Sequence, residues 1–166
     1  MVEAIVALSM LAMGMVGMFT LLSSSYAFNR VSTNEYIASN LAAEGIEVVR
    51  NIIDANIIAS QAWNAGLTGC AAPAGCSVQY DSTSLGGSQG NFLNLDSGSR
   101  LYLYDTMFPN TIFKRKLVLE NINNPPNNPN PNEIKVISSV SWRDRRLDYS
   151  VDLEDHLYDW RSAISE

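Results

Sequence analysis

The sequence predicts an α+β protein: one long N-terminal α-helix followed by a small antiparallel β-sheet. The first observation behind this is an apolar run over residues 4–22 that contains no charged side chain. The second is a helical period that begins near Val31 and continues to Ala59. The third is an alternation of apolar and polar residues in the second half of the chain. We therefore expect residues 1–59 to form the helix and residues 60–166 to form a β-rich head.

The apolar run is long enough to cross a membrane. As a helix, residues 4–22 would span about 28 Å, close to the ~30 Å hydrocarbon core of a bilayer. Glu3 stands at the start of this run, and a carboxylate at the rim of a spanning segment is costly unless a cation meets it. We therefore interpret residues 1–30 as the membrane-spanning part of the helix and expect Glu3 to need a positively charged partner.

Two simpler explanations of this segment fit less well. No Lys or Arg precedes the run and no small-residue cleavage site follows it, which is not typical of a secretory signal peptide. Arg30 is the only basic residue before Arg50, so the basic flank of an ordinary single-pass anchor is also missing. A plain membrane anchor is kept as the alternative.

Two glycines interrupt the apolar run. Gly14 and Gly17 each cost about 1 kcal/mol relative to alanine inside a helix. Residues 13–20 are therefore predicted to be the weakest part of the spanning helix. The alternative interpretation is that both glycines are small packing positions between membrane helices.

The second half of the helix is predicted to be amphipathic and to pack on the head. Glu47 and Arg50 are spaced for an ion pair on its polar side, which also carries Asn34, Glu44 and Asp54. Two adjoining rows predict a wide apolar face: Ile37, Leu41, Gly45, Val48 and Ile52 in the first, and Ala42, Ile46, Val49, Ile53 and Ile57 in the second.

The head is predicted to be an antiparallel sheet ending in a hairpin. The expected strands are residues 77–80, 100–104, 111–120, 133–142 and 147–153, with residues 143–146 joining the last two. The Ser- and Gly-rich residues 82–99 are predicted to be exposed loop, and residues 154–161 a short helical turn.

An asparagine- and proline-rich segment separates the predicted strands. Residues 121–132 contain four prolines and seven asparagines, which cannot pair as a strand. We expect an exposed loop between antiparallel strands, with Asn124, Pro125, Pro126, Asn127, Pro129 and Pro131 on its surface. The segment holds no Asp or Glu before Glu133, so we predict no calcium or other metal site there.

Charge and length restrict the function. The 166 residues allow one modest head besides the helix, and the net charge of −6 with a pI near 4.7 argues against direct binding of nucleic acid. Two small basic groups stand out, residues 114–116 and 143–146. We interpret the first as a solvated strand face and the second as a hairpin turn.

The cysteines predict a disulfide bond. Cys70 and Cys76 are separated by five residues, which does not match a C-x-x-C redox or zinc motif. A closed loop between them implies that the head lies in an oxidising, extracytoplasmic compartment. His156 is the only histidine, and the sequence has neither a nucleophile–base grouping nor a phosphate-binding glycine loop, so we expect no enzyme and no cofactor.

Residues 1–8, Met-Val-Glu-Ala-Ile-Val-Ala-Leu, resemble the start of mature type IV pilins and pseudopilins, where one glutamate opens an apolar helix. Residues 40–50 are similar to the second helical half of a subgroup that often includes minor pilins. Residues 140–142 and 151–153, with Trp160, resemble that subgroup's final hairpin. The family glutamate is the fifth mature residue and here it is the third, so we expect two residues, Phe and Thr, to precede Met1; unusual processing is the alternative.

The resemblance implies a structural subunit of an extracellular type IV pilus, present in the inner or cytoplasmic membrane before assembly. Its partners would be identical subunits, an inner-membrane assembly machinery and the prepilin peptidase. Glu3 would pair with the methylated N-terminal amine of a neighbouring subunit, and residues 13–20 would lose helical structure in the filament. The alternatives are a pseudopilin of a type II secretion or competence system and a membrane-tethered, adhesin-like binding domain.

Overall fold

The computed structural model describes residues 2–86, 91–122 and 132–160 and confirms the α+β fold. The helix α1 (Val2–Ile58) precedes a short 3₁₀ turn at Thr68–Cys70. The strands are β1 (Phe92–Leu95), β2 (Tyr102–Leu103), β3 (Asn110–Ile122), β4 (Glu133–Asp144) and β5 (Leu147–Tyr158). They form one antiparallel sheet in the order β2-β1-β3-β4-β5.

The helix ends one residue before the predicted boundary, at a left-handed cap. Ser60 has a φ of 56°, and its backbone N–H donates to the Ile57 carbonyl. The Gln61 N–H donates to the Asn56 carbonyl, which completes the hydrogen-bond pattern of a Schellman motif. These two bonds satisfy carbonyls that the end of the helix would otherwise leave open.

The chain divides into two compact units at a point within the helix. The first is Met1–Tyr36 and the second is Ile37–Glu166. The boundary lies before the end of α1 because residues 37–57 carry the buried face of the helix. That face confirms both predicted apolar rows, since its buried residues are Ala38, Leu41, Ala42, Gly45, Ile46, Val48, Val49, Ile52, Ile53 and Ile57.

Strands β3 and β4 supply the sheet side of the core through alternate residues. On β3 the buried side chains are Phe113, Arg115, Leu117 and Leu119, and on β4 they are Ile134, Val136, Ser138, Val140 and Trp142. The sheet therefore has one face packed in the core and one open face, as the alternating pattern predicts.

The predicted strand at residues 77–80 is wrong. No residue of this segment pairs as a strand, and the isolated bridges to β3, Ala71↔Leu119 and Cys76↔Leu117, come from residues that precede it. Beyond Cys76 the backbone leaves the ladder, because the Val78 carbonyl accepts a hydrogen bond from the Arg115 side chain. The segment is thus fixed by a side chain rather than by strand pairing.

The interpretation of residues 82–99 as exposed loop is wrong in part. This range contains β1, in which Leu93 and Asn94 are buried. The Asn94 amide donates to the Phe108 carbonyl (2.7 Å) and to Asn110 Oδ1 (2.8 Å). A buried asparagine with both partners satisfied fits a strand, although its residue type is typical of a turn.

The last hairpin is confirmed, but it is longer than predicted. Residues 154–158 continue β5 and are not helical, because the Ile134↔Leu157 and Val136↔Asp155 pairs extend the ladder with β4. The turn consists only of residues 145–146, with a φ of 56° at Arg145. At the other edge, only Tyr102–Leu103 of the predicted strand 100–104 pairs.

The predicted loop residues Asn124, Pro125, Pro126, Asn127, Pro129 and Pro131 lie outside the described residues. The strands on either side of them are antiparallel neighbours, as expected. The prediction that residues 121–132 do not pair is wrong for residues 121 and 122, which continue β3 because its ladder with β4 runs to the Ile122↔Glu133 pair.

Candidate functional site

The N-terminal part of α1 exposes a continuous apolar surface. The apolar surface is defined by the exposed large side chains between residues 2 and 28, namely Val2, Ile5, Val6, Leu8, Met10, Leu11, Met13, Met15, Val16, Met18, Phe19, Leu21, Leu22, Tyr26 and Phe28. They follow one another too closely to lie on one stripe, so the helix is apolar on all sides. It is long and apolar enough to cross a membrane, and its most apolar window has no residue buried within the protein.

Two hydroxyl groups in the middle of this apolar stretch are satisfied by the helix itself. The Ser9 hydroxyl donates to the Val6 carbonyl (2.8 Å), and the Thr20 hydroxyl donates to the Gly17 carbonyl (2.8 Å). The apolar surface therefore presents no unsatisfied hydroxyl donor at these two positions, which suits an environment without water.

Glu3 lies in the first turn of α1 and is exposed. An acidic side chain at this position interacts favourably with the partial positive charge of the helix N-terminus. This placement agrees with the predicted location of the carboxylate at the rim of the apolar surface.

Gly14 and Gly17 are both helical in the single chain. A Cβ atom added at either position would meet no atom within 4 Å outside the local helix. Neither glycine is therefore required by packing within one molecule. The loss of helical structure predicted for residues 13–20 concerns the filament and stays a prediction.

The interpretation of residues 114–116 as a solvated strand face is wrong for Arg115. This side chain is fully buried, while Lys116 is exposed. Phe113, Arg115 and Leu117 are every second residue of β3 and all lie on its inward face, so one of the three basic residues is buried. The alternation of Arg115 with the apolar residues Phe113 and Leu117 is the feature of the sequence that could have predicted its burial.

Arg115 connects three separate segments of the head. Its Nη1 donates to the Leu41 carbonyl (3.0 Å) and to Glu44 Oε1 (3.0 Å), both on α1. Its Nη2 donates to the Val78 carbonyl of the segment beside β3. Its Nε has no partner in the described part of the chain. A buried guanidinium is well suited to this role because its planar fork reaches several acceptors at once.

The helix lies close to the sheet at Gly45, beside this arginine. A Cβ atom at Gly45 would lie 2.7 Å from Ser138 Oγ and 2.9 Å from Leu117 Cδ1. Only glycine leaves enough room for the backbone of α1 at this point. Gly45 and Arg115 together set the position of residues 37–58 within the head.

The predicted disulfide loop is present. The sulfur atoms of Cys70 and Cys76 lie at bonding distance, the Cα atoms are 4.8 Å apart, and both side chains are buried. The Cys76 backbone exchanges two hydrogen bonds with Leu117 on β3, at 2.7 and 2.9 Å. The loop thus tethers the segment after α1 to the sheet, and Gly75 takes the left-handed conformation (φ 75°) that its turn requires.

A charged cluster closes the end of the β4–β5 hairpin. His156 Nδ1 lies 2.5 Å from Glu133 Oε1 and its Nε2 lies 3.2 Å from Glu154 Oε1. The hydrogen bond with Glu133, followed by that with Glu154, raises the pKa of His156 above its usual value. The neighbouring carboxylate Asp155 is engaged elsewhere, accepting a hydrogen bond from Arg50 at 2.8 Å. Arg50 also forms the predicted pair with Glu47 at 2.7 Å.

Within the described ranges 2–86, 91–122 and 132–160, no group of three or more His, Cys, Asp or Glu side chains is arranged to hold a metal ion. The chain matches no protein-family model, no curated protein and no solved structure.

Proposed function

We propose that this protein is the structural subunit of an extracellular filament of the type IV pilus kind. It polymerises through the apolar surface of α1, after residence in the membrane from which the filament grows. Identical subunits are its main partners. An inner-membrane assembly machinery and a prepilin peptidase act on it before it reaches the cell surface.

The exposed apolar surface is the observation that carries this proposal. Soluble monomers rarely expose contiguous apolar patches larger than a few hundred Å², and here every side of a helix of about 27 residues is apolar. Two surroundings cover such a rod on all sides: lipid and a bundle of similar helices. A subunit that passes from the first to the second keeps its apolar contacts throughout.

Glu3 supports a filament over a plain anchor because it gives the bundle a register. Opposite charges about 4 Å apart in a partly desolvated core attract by a few kcal/mol, whereas an unpaired buried carboxylate is penalised. A neighbouring subunit's N-terminal amine is the cation that a bundle of identical helices supplies near Glu3. A subunit shifted along the bundle would leave its carboxylate unpaired and is therefore disfavoured.

The head is suited to an extracytoplasmic position. The bonded cysteines favour an oxidising compartment. The disulfide loop, Arg115 and Gly45 together fix residues 37–58 of the helix within the head. A subunit of this kind can carry load from its helix to its head without a flexible joint within residues 37–58.

The test is the substitution Glu3→Gln, which removes the charge and keeps the side-chain shape. Filaments sheared from cells and collected by centrifugation are expected to fall about tenfold or more, which corresponds to at least 1.4 kcal/mol of lost assembly free energy. The amount of subunit in the membrane should be unchanged. Asp54→Asn is the matched control, because it removes an exposed carboxylate from the same helix outside the apolar surface.

Normal filament yield from Glu3→Gln would contradict the role of the carboxylate. A loss of equal size from Asp54→Asn would show that net charge, and not this position, matters. Recovery of only short, sparse assemblies from the wild type would indicate a pseudopilus instead of a pilus.

A further inference from the structure

The open face of the sheet contains a trough that its register explains. Paired residues on four neighbouring strands form one row, Phe92, Lys114, Ser141 and Ser150. Ser141 and Ser150, at the β5 end of this row, are much shorter than Phe92 and Lys114. An open cavity of about 300 Å³, near the lower limit of ligand pockets, is lined by Ser141 together with Phe92 and Lys114.

The cavity joins the two basic groups that stand apart in the sequence. Lys114 comes from the first group and Arg143 from the second, and both line the cavity. The Lys114 ammonium lies 4.3 Å from the ring centroid of Phe92. The Arg143 guanidinium binds Asp148 through two hydrogen bonds, at 2.6 and 2.8 Å. With two cations and one carboxylate, the lining is locally positive in a chain of net charge −6.

The floor of the cavity is fixed from the opposite side of the sheet. Trp142, which also lines the cavity, stacks on Tyr149 with ring centroids 5.5 Å apart and meets Phe113 at 6.0 Å. These three aromatic residues come from β3, β4 and β5, so their packing holds the three strands in register. The cavity is therefore preformed, which lowers the ordering cost of binding.

We propose that this cavity binds a carboxylate-bearing sugar unit of an acidic polysaccharide. The Lys114 ammonium meets the carboxylate, while Ser141 and the Arg143–Asp148 pair offer donors and acceptors to ring hydroxyls. Phe92 and Ile112 supply the apolar wall against which the C–H face of a sugar ring packs.

Three other kinds of ligand fit this lining less well. A small inorganic anion would leave the apolar wall without a contact. A nucleic acid needs a broad basic footprint, which a chain of pI near 4.7 does not provide. A neutral sugar would leave the Lys114 ammonium without an anionic partner. This inference depends on the head alone and does not rest on the filament proposal.

The direct test is calorimetric titration of the full chain in detergent micelles with tetragalacturonate. Maltotetraose is the neutral sugar control, and tetraglutamate supplies carboxylates without a ring. We expect saturable binding of tetragalacturonate, with both controls at least about tenfold weaker, a difference of 1.4 kcal/mol. Because the assay uses dispersed subunits, a failure of filament assembly would not affect its result.

Two substitutions locate the site. Lys114→Gln and Phe92→Ala should each weaken tetragalacturonate binding about tenfold. Arg146→Gln, in the turn of the β4–β5 hairpin and outside the cavity, should change it less than about twofold. The near-ultraviolet circular dichroism of Trp142 and its aromatic neighbours shows whether each variant is folded.

Three results would overturn the proposal. They are no saturable binding of tetragalacturonate, equal binding of tetraglutamate, or an effect of Arg146→Gln as large as that of Lys114→Gln. The first result would show that the cavity does not bind this ligand. Either of the other two would show that the interaction is only nonspecific attraction between charges.

Discussion

At the scale of single residues, Arg115 shows how much one buried side chain organises. It is the only described Lys or Arg that is fully buried. Its guanidinium donates hydrogen bonds to the Leu41 carbonyl, the Glu44 carboxylate and the Val78 carbonyl. Loss of the guanidinium would leave the Val78 carbonyl without this partner and the half-buried carboxylate of Glu44 without its ion pair. The cost of an orphaned buried acceptor is about 1–3 kcal/mol.

Replacing Arg115 by Met keeps the volume and removes these bonds. We expect the free energy of unfolding of the head to fall by about 2–4 kcal/mol, read from the midpoint of urea unfolding. Lys116→Met removes a neighbouring, exposed charge and should change stability by less than about 0.5 kcal/mol. Equal stability of Arg115→Met and the wild type would show that the buried charge contributes nothing to the position of α1.

Most helices and strands could be predicted because the spacing of their apolar residues is regular. The predictions that were wrong have identifiable causes. The helix from residue 2 to residue 58 follows from its apolar run and its two apolar rows. The burial of Arg115 was not predicted because three consecutive basic residues are typical of a solvated surface. Arg115 nevertheless lies two residues from Phe113, so both side chains lie on the inward face of β3. Strand β1 was not predicted because it contains Asn94, a residue type common in turns. The hydrogen-bond partners of its amide, Phe108 and Asn110, come close only in the folded head.

The exact register of the strands could not be predicted from the sequence. That Lys114 and Arg143 line the same cavity depends on the register of β3 with β4, and a one-residue slip would move one of them to the other face. The apolar surface, by contrast, consists of consecutive residues of one helix, and their composition was enough to predict it. The candidate assembly surface was therefore predictable and the sheet cavity was not.

At the scale of elements, the end of the β4–β5 hairpin carries a pH-dependent cluster. His156 faces Glu133 and Lys135 on β4 and Glu154 on its own strand, and its backbone N–H donates to Asp155 Oδ1. Since the folded pKa of His156 is raised, its contribution to stability is complete below the unfolded value near 6.5. That contribution is lost as the pH rises through the folded pKa.

We expect His156→Gln to destabilise the head more at pH 5.5 than at pH 8.5. The measurement is the difference in urea midpoint between wild type and variant at each pH. Taking this difference cancels the titration of groups that both proteins share. A difference that is the same at both pH values would mean that protonated His156 does not hold the hairpin end.

At the scale of the whole molecule, two kinds of surface serve two purposes. Residues 2–28 present an apolar rod that one chain cannot cover. The described residues between 37 and 160 form a packed head, in which a Cβ atom at Gly45 would lie only 2.7 Å from Ser138 Oγ. At Gly14 and Gly17, by contrast, an added Cβ atom would meet no atom within 4 Å outside the local helix, which agrees with the proposal of a rigid head and a helix that adapts during assembly.

The measurement that tests the account most directly is an electron cryomicroscopy reconstruction of filaments from the native source. The account predicts that residues 2–28 form the filament core, that Glu3 meets a cationic group of a neighbouring subunit, and that residues 13–20 lose helical hydrogen bonds. Filaments held together only by their heads, with the apolar helix outside the core, would contradict it.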